Sequence, residues 1–277
     1  MPIDPSSVSV VIPAFRNQVV LDRTLATLLA QTVKAREIIV VDDGSETPLK
    51  VPKGVTLARI ERKATYRGSS DAKNHGAALA TGDYLAFSDS DILHMPDAIE
   101  SVLAHFVKCE NPRMLVNVFS LAMEAKPDAL VFDMTKSDHM ETLLAHYEKL
   151  GKRYDRLVLG LPAKGWLPSI NVKDDGYDSM CFSEQHFGVM RRDFFNELGG
   201  YDAYHFTSWG LNNQDLSIRV AKAGGGKLSS NVRRVKDGTL LHCFHQHNPG
   251  EQNGPTAKAE FRAKYGRNFT PQILVGG

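Results

Sequence analysis

The sequence predicts an α/β fold with a mostly parallel central sheet and helices on both of its faces. In the first 108 residues, short runs of aliphatic residues alternate with segments of helical periodicity. These runs are apolar at every position rather than at alternate positions. A strand that is apolar throughout is buried on both faces, which is the usual environment of a parallel strand between two layers of helices.

Four strands and three helices are predicted in this first half. The strands cover 8–13, 37–41, 55–60 and 84–87, and the helices cover 20–31, 70–80 and about 96–108. Pro13 ends the first strand because it cannot donate to a ladder. The turn residues Asp42-Asp43-Gly44-Ser45 end the second strand, and Pro96 suits the first turn of the third helix.

The second half is less regular. Strands are predicted at 115–121, 187–190 and 239–245, and helices at 137–150, 193–198 and 213–223. Gly199-Gly200 and Gly224-Gly225-Gly226 close the last two helices, and Asp237-Gly238 marks a turn before the last strand. A stretch rich in Gly, Pro, Asp and Asn at 160–178 is expected to form a long functional loop.

Composition excludes several classes of protein. Hydrophobic residues make up 42% of the 277 residues, as in globular proteins. The 33 basic and 32 acidic residues leave no basic excess, so we expect no nucleic-acid partner. Three widely spaced cysteines suggest reduced thiols in a cytosolic protein. No apolar run approaches the ~18 residues of a spanning helix, and no signal peptide is recognisable.

Acidic residues follow two of the predicted strands, where ligands bind in open α/β sheets. Asp89 and Asp91 could hold one hard divalent cation, which in turn could hold a diphosphate; the alternative is a solvated turn. Asp42 and Asp43 could accept hydrogen bonds from a base or a ribose, although such a stretch is more often a turn. Neither G-x-G-x-x-G after the first strand nor a P-loop motif is present, which disfavours dinucleotide oxidoreductases and P-loop nucleotidases.

Several motifs in order resemble those of family-2 glycosyltransferases over about residues 7–247. They are VSVVIPAF at 8–15, EIIVVDDGS at 37–45, DAKNHG at 71–76, GDYLAFSDSD at 82–91, FG at 187–188, RRDF at 191–194, GGYD at 199–202 and WG at 209–210. The resemblance implies a GT-A fold, a single catalytic domain over 1–277. Its nucleotide-sugar-binding half would be about 7–108 and its acceptor-binding half about 109–277.

The resemblance also implies roles for individual residues. Pro13, Ala14, Phe15 and Asp43 would line the nucleobase pocket, with Asp42 close by. Lys73 stands where the family usually has arginine, near the donor diphosphate. Asp89 and Asp91 match the D-x-D motif, with Asp91 the direct metal ligand ahead of Asp89, which lies nearer the ribose. Trp209 would offer an apolar face to a sugar ring, unless it is simply a buried tryptophan.

One departure from the family pattern concerns the catalytic base. The family commonly reads W-G-x-E-D, in which the last acid deprotonates the acceptor hydroxyl, but Asn212 and Asn213 stand here. An amide cannot act as a general base, so either Asp215 takes over or no base acts at this place. A retaining transferase or a protein without activity would also fit. Asp215 could equally form an ion pair with Arg219 one helical turn later.

A late cluster of histidines offers a further metal ligand. His242, His245 and His247 cannot all face one ion from a regular strand, because alternate residues point to opposite sides. GT-A enzymes of this type often supply one histidine from a late strand, and His242 or His245 matches that place. A histidine added to carboxylates would favour Mn²⁺ over Mg²⁺.

Together these features predict a cytosolic or membrane-peripheral glycosyltransferase that uses Mn²⁺ or Mg²⁺. It would move a sugar from a nucleotide-diphosphate sugar, in particular a UDP-sugar, to a hydroxyl acceptor such as a glycan, as in polysaccharide biosynthesis. Two alternatives stay open: a nucleotidyltransferase of related fold, and a catalytically impaired protein that still binds nucleotide sugars. The sequence carries no indication of oligomeric state.

Overall fold

A computed structural model of the chain describes residues 7–62, 68–122, 185–207, 211–224, 231–242 and 254–266. In these ranges the strands are β1 Val8–Ala14, β2 Glu37–Asp43, β3 Val55–Ile60, β4 Tyr84–Ser88, β5 Ile92–His94, β6 Leu115–Ala122, β7 Phe187–Arg191 and β8 Val232–His242. The helices are α1 Gln18–Leu29, α2 Ser70–Leu79, α3 Ala98–Cys109, α4 Arg192–Glu197, α5 Asn212–Ala223 and α6 Gly254–Tyr265. The strands form one sheet in the order β3-β2-β1-β4-β7-β6-β8-β5.

The first four strands form the parallel half of the sheet. β1 pairs in parallel with β2 and β4, and β2 pairs in parallel with β3. Side chains of β1 alternate between two cores: Val10 packs with residues of α1 and α3, and Val11 packs with residues of α2 and α5. The predicted α/β class, with helices on both faces of a mostly parallel sheet, is therefore confirmed.

The second half of the sheet mixes directions. β7 is antiparallel to β4 and β6, β8 is parallel to β6, and β5 is antiparallel to β8. The sequence did not reveal β5, because three residues are too few to show a period. It also placed the start of β8 too late. Pairing jumps from Val118 opposite Val235 to Ser120 opposite Leu240, so the predicted turn at Asp237-Gly238 is an irregularity inside one strand.

Some predicted features lie outside the described residues. They are the helix at 137–150, the loop at 160–178, Trp209 and His245. Within the described part of the chain, no helix combines the length and the apolar character needed to cross a membrane.

The parallel half determines where a site can form. Ala14 at the end of β1 lies opposite Asp42 in β2, and Val11 of β1 lies opposite Phe87 in β4. The carboxyl ends of β1, β2 and β4 therefore meet at one edge of the sheet. Phe15, Asp43 and Asp89 emerge there together.

Candidate active site

One corner of this edge is formed by Asp43, Arg62 and Phe15. Asp43 is only 4% exposed, and its Oδ2 forms an ion pair with Arg62. The Arg62 guanidinium carbon lies 4.0 Å from the centroid of the Phe15 ring. A Cβ on Gly44 would lie 2.8 Å from Cβ of Arg62, so glycine is what allows this close approach. Sequence reasoning missed Arg62, whose only signal is its place just after β3.

The second carboxylate oxygen of Asp43 is the notable atom of this corner. Oδ1 is buried, and no described residue donates a hydrogen bond to it. Burial raises the pKa of Asp43 to about 6; the Arg62 guanidinium lowers it, and the carboxylates of Asp71 and Asp42 raise it further. A buried acceptor without a donor costs free energy in the isolated protein. A ligand N–H beside Phe15 could satisfy it.

Asp42 has a different environment from its neighbour. Its carboxylate is fully buried and accepts hydrogen bonds from the backbone N–H groups of Ser45 (2.9 Å) and Leu49 (3.2 Å) and from Arg59 (2.7 Å). Asp42 therefore fixes the loop that follows β2. Pro13 and Ala14 are buried at the end of β1, directly before Phe15 in the chain.

Lys73 joins three elements at the centre of the edge. It lies on α2 and is 1% exposed, with its Nζ 3.8 Å from Asp89 Oδ1 and 3.3 Å from Asn213 Oδ1. The Tyr201 ring centroid lies 4.9 Å from the same Nζ. Burial lowers the pKa of Lys73, and the Asp89 carboxylate opposes that effect. Because lysine has only donors, the Asn213 oxygen must accept, which leaves the Asn213 amide N–H groups for another partner.

Side chains that the sequence did not single out hold this arrangement in place. The Asn74 amide donates to the Tyr201 carbonyl and accepts from the Tyr201 backbone N–H, both at 2.8 Å. The Gln185 amide donates to the Asn213 carbonyl and to Ser217 Oγ, both at 2.7 Å. Tyr201 and Asn74 lie within the quoted motifs, whereas Gln185 has no local signal. These contacts hold Tyr201 against α2 and Gln185 against the first turns of α5, while the Asn212 amide of α5 donates to Ser70 Oγ of α2 at 3.2 Å.

The turn from Asp89 to Asp91 connects β4 to β5. The Asp89 backbone N–H donates to the His186 carbonyl (3.1 Å), and Thr24 Oγ1 donates to the Ser90 carbonyl (2.9 Å). Ile92, the next residue, pairs with His242 in β8. The backbone of the predicted histidine ligand thus lies across from the residue that follows Asp91.

The turn offers two carboxylates, those of Asp89 and Asp91, to the expected metal. In the described ranges, no three His, Cys, Asp or Glu residues are grouped closely enough to hold an ion. Two carboxylates alone suit a hard cation that takes its other ligands from a diphosphate and water. Asp89 and Asp91 therefore fit Mg²⁺ or Mn²⁺ bound together with a nucleotide.

Asp215 lies in the first turn of α5, two residues after Asn213, and is fully buried. Its Oδ2 accepts a hydrogen bond from Arg219 Nε at 2.8 Å. Its Oδ1 accepts from Lys264 Nζ at 2.5 Å and from the Tyr265 hydroxyl at 2.6 Å. The helix ion pair with Arg219, which the sequence left open as an alternative, is therefore present. Both carboxylate oxygens of the predicted base therefore already accept hydrogen bonds from other side chains of the protein.

Comparisons with known proteins agree with this fold and identify the family. The chain is similar in structure to S. aureus TarS residues 1-349, with a TM-score of 0.52 at 11% identity, and the match covers 85% of this chain and 60% of that one. That likeness concerns the fold, which is GT-A-like as predicted. The model of glycosyl transferase family 2 matches residues 9–199, and the chain belongs to that family.

Curated relatives carry related names. The chain is 37% identical over 103 residues to validoxylamine A glucosyltransferase of Streptomyces hygroscopicus subsp. limoneus, a match that covers 35% of this chain. It is 34% identical over 230 residues to pre-mycofactocin glycosyltransferase of Mycobacterium tuberculosis, which covers 80% of this chain. The matched segments span 23% and 41% of these relatives.

Proposed function

We propose that the protein is a glycosyltransferase that takes a sugar from a UDP-sugar and transfers it to a hydroxyl acceptor such as a glycan. The observation that carries this proposal is the gathering of Phe15, Asp43, Lys73 and Asp89 at one edge of the sheet, beside the first turn of α5. Glycosyltransferase names among the family-2 relatives support it. The spaced cysteines and balanced charge support a cytosolic or membrane-peripheral enzyme without a nucleic-acid partner.

The nucleobase would bind at the Asp43 corner. Uracil presents one ring N–H between two carbonyl groups. Asp43 Oδ1 can accept that N–H, and the adjacent Arg62 guanidinium can donate to a carbonyl. Phe15 offers the ring an apolar face. Asp42 would support the pocket without contacting the base, because its carboxylate serves the loop.

The donor diphosphate would lie between Lys73 and the Asp89–Asp91 turn. Asp91 and Asp89, with His242 or His245, would hold Mn²⁺ or Mg²⁺, which when bound would neutralise charge on the leaving diphosphate. The Lys73 ammonium adds a second positive charge from the protein itself. The Asn213 amide N–H groups can donate to a phosphate oxygen or to a sugar hydroxyl.

At position 213, where the family commonly has the acid that deprotonates the acceptor, this chain has an asparagine. Asn213 faces Lys73 but cannot take a proton, and Asp215 is enclosed by Arg219, Lys264 and Tyr265. We therefore propose that Asp215 supports α5, and that the reaction proceeds without a carboxylate base at position 213 or 215. Trp209 is the proposed contact of the acceptor sugar.

A panel of nucleotide sugars, tested with and without Mn²⁺, would examine this function. A donor at about 100 times its dissociation constant should add about 2.7 kcal/mol of stability, which a thermal shift detects. Slow metal-dependent release of free sugar from the same donor would show transferase chemistry. Pyrophosphate release from a nucleoside triphosphate and a sugar phosphate would indicate a nucleotidyltransferase instead. Binding without any hydrolysis or transfer would indicate a protein that only binds the nucleotide sugar.

A further inference from the structure

The ammonium group of Lys264 bridges two carboxylates on either side of the predicted acceptor contact. Its Nζ lies 2.6 Å from Asp202 Oδ2 and 2.5 Å from Asp215 Oδ1. Residues 202–215, here called the acceptor segment, include Trp209 and Asn213; the structure describes 202–207 and 211–215 of it. A single side chain of α6 therefore holds both ends of this segment.

Other residues of α6 also contact this segment. Glu260 Oε1 accepts from Thr207 Oγ1 at 2.8 Å and from the Thr207 backbone N–H at 3.3 Å. The Phe261 ring lies 6.3 Å from the Phe206 ring, centroid to centroid. The Tyr265 hydroxyl donates to Asp215. The last turns of α6 thus contact the acceptor segment at several successive points.

Both carboxylates held by Lys264 organise the backbone around them. Asp202 Oδ1 accepts from the backbone N–H groups of Tyr204 (3.1 Å) and His205 (2.9 Å), which closes a turn. Asp215 lies in the first turns of α5, close to Asn213. Asp215 is fully buried, so loss of the Lys264 charge would leave Arg219 as its one remaining cationic partner among the described residues.

We infer that Lys264 is a positioning residue that holds the acceptor segment, and with it Asn213, against Lys73 and Asp89. Without this cation, Asp202 and Asp215 would lose their shared partner and the segment would loosen at both ends. The donor corner at β1 and β2 makes no contact with Lys264 among those described, so it would keep its structure. The role of the segment in acceptor binding rests on the proposed function. The role of Lys264 in holding the segment in place does not depend on that function.

Three variants test this inference. Lys264→Met removes the charge and keeps an apolar stem, and Lys264→Arg restores a cation. Arg262→Met removes a charge from an exposed position of the same helix and is the matched control. Hydrogen exchange, UDP affinity with Mn²⁺, and the KM and kcat of transfer to the acceptor would be measured for each.

For Lys264→Met we expect amide exchange in 203–207 and 211–216 to quicken about tenfold or more, with no change in β1, β2 and β4. The kcat/KM for the acceptor should fall about tenfold or more. UDP affinity should fall by a smaller factor, because the Phe15–Asp43 corner, Lys73 and Asp89 do not contact Lys264 among the described residues. Lys264→Arg should recover most of both losses, and Arg262→Met should behave as the unmodified protein.

Unchanged exchange in the acceptor segment, or an equal increase throughout the chain, would overturn the inference, because Lys264 would then be at most a general stabiliser. If the unmodified protein transfers no sugar, the proposed function fails. The exchange measurement would still decide whether Lys264 positions the segment.

Discussion

The Nζ of Lys73 lies 3.3 Å from the amide oxygen of Asn213, a residue 140 positions later in the chain. This contact joins α2 to the first turn of α5 beside Asp89, whose carboxylate lies 3.8 Å from the same nitrogen. An amide at position 213 does not neutralise the buried ammonium as a carboxylate would. Asp89 is then the carboxylate that balances the ammonium, and position 213 adds no second negative charge beside a bound diphosphate.

Replacing Lys73 by methionine should weaken UDP binding about tenfold or more, since a hydrogen bond to a charged group contributes roughly 1.5–3 kcal/mol. The free energy of unfolding should change little, because the substitution removes the cost of burying the ammonium, and the Asp89 side chain that loses its partner is 32% exposed to solvent. Calorimetry with Mn²⁺ and urea unfolding would measure the two quantities, with exposed Lys222→Met as control. Equal UDP affinity in Lys73→Met and the original protein would refute a diphosphate role.

Asp43→Asn should weaken UDP binding and yet stabilise the protein at pH 7. Burial raises the pKa of Asp43 from 3.8 to about 6, so between these values the folded state binds a proton that the unfolded chain lacks. Ionised Asp43 therefore opposes folding at pH 7, and a neutral amide removes that penalty. The gain in melting temperature should shrink at pH 5, where Asp43 is already largely protonated.

The same substitution one residue earlier provides the control. Asp42→Asn should lower the melting temperature at both pH values, because the Asp42 carboxylate accepts hydrogen bonds from Ser45, Leu49 and Arg59. If Asp43→Asn lowered the melting temperature just as much at pH 7, the proposed environment of Asp43 would be incorrect.

Asp215→Asn should lower the free energy of unfolding. Removing the charge leaves Arg219 and Lys264 without their buried partner, and we expect a loss of about 3–5 kcal/mol in the free energy of unfolding. Urea unfolding measures this loss, and exposed Asp22→Asn should show almost none. A variant of unchanged stability whose turnover falls by orders of magnitude would instead favour the base role.

His242→Ala should weaken Mn²⁺ binding in the presence of UDP more than His245→Ala does. The reason is the pairing of His242 with Ile92, directly after Asp91. Imidazole binds metal in its neutral form, so Mn²⁺ affinity should also fall as the pH drops through about 6.5. If neither substitution affects Mn²⁺ affinity, the site consists of carboxylate and phosphate ligands alone.

The sequence predicted those features of the molecule that depend on residues close together in the chain. The apolar runs predicted β1, β2 and β4, and the acidic residues that follow β2 and β4 lie at the one edge of the sheet where these strands end. The Asp215–Arg219 pair was also foreseeable, because the residues are one helical turn apart. Lys264 and Tyr265, the other partners of Asp215, lie 49 and 50 positions away and leave no local pattern. Arg62 beside Phe15 and Gln185 beside Asn213 were missed for the same reason.

Titration of UDP into the protein and into Asp91→Asn, both with Mn²⁺ present, tests the nucleotide-sugar site most directly. Asp91 belongs to the turn that would hold the metal, and the Phe15–Asp43 corner is separate from it in the chain. We expect the unmodified protein to bind UDP only weakly without Mn²⁺ and tightly with it, and Asp91→Asn to lose most of that gain while its melting temperature is unchanged. Equal UDP affinity in the two proteins with Mn²⁺ present would contradict a metal-assisted nucleotide-sugar site at this edge of the sheet.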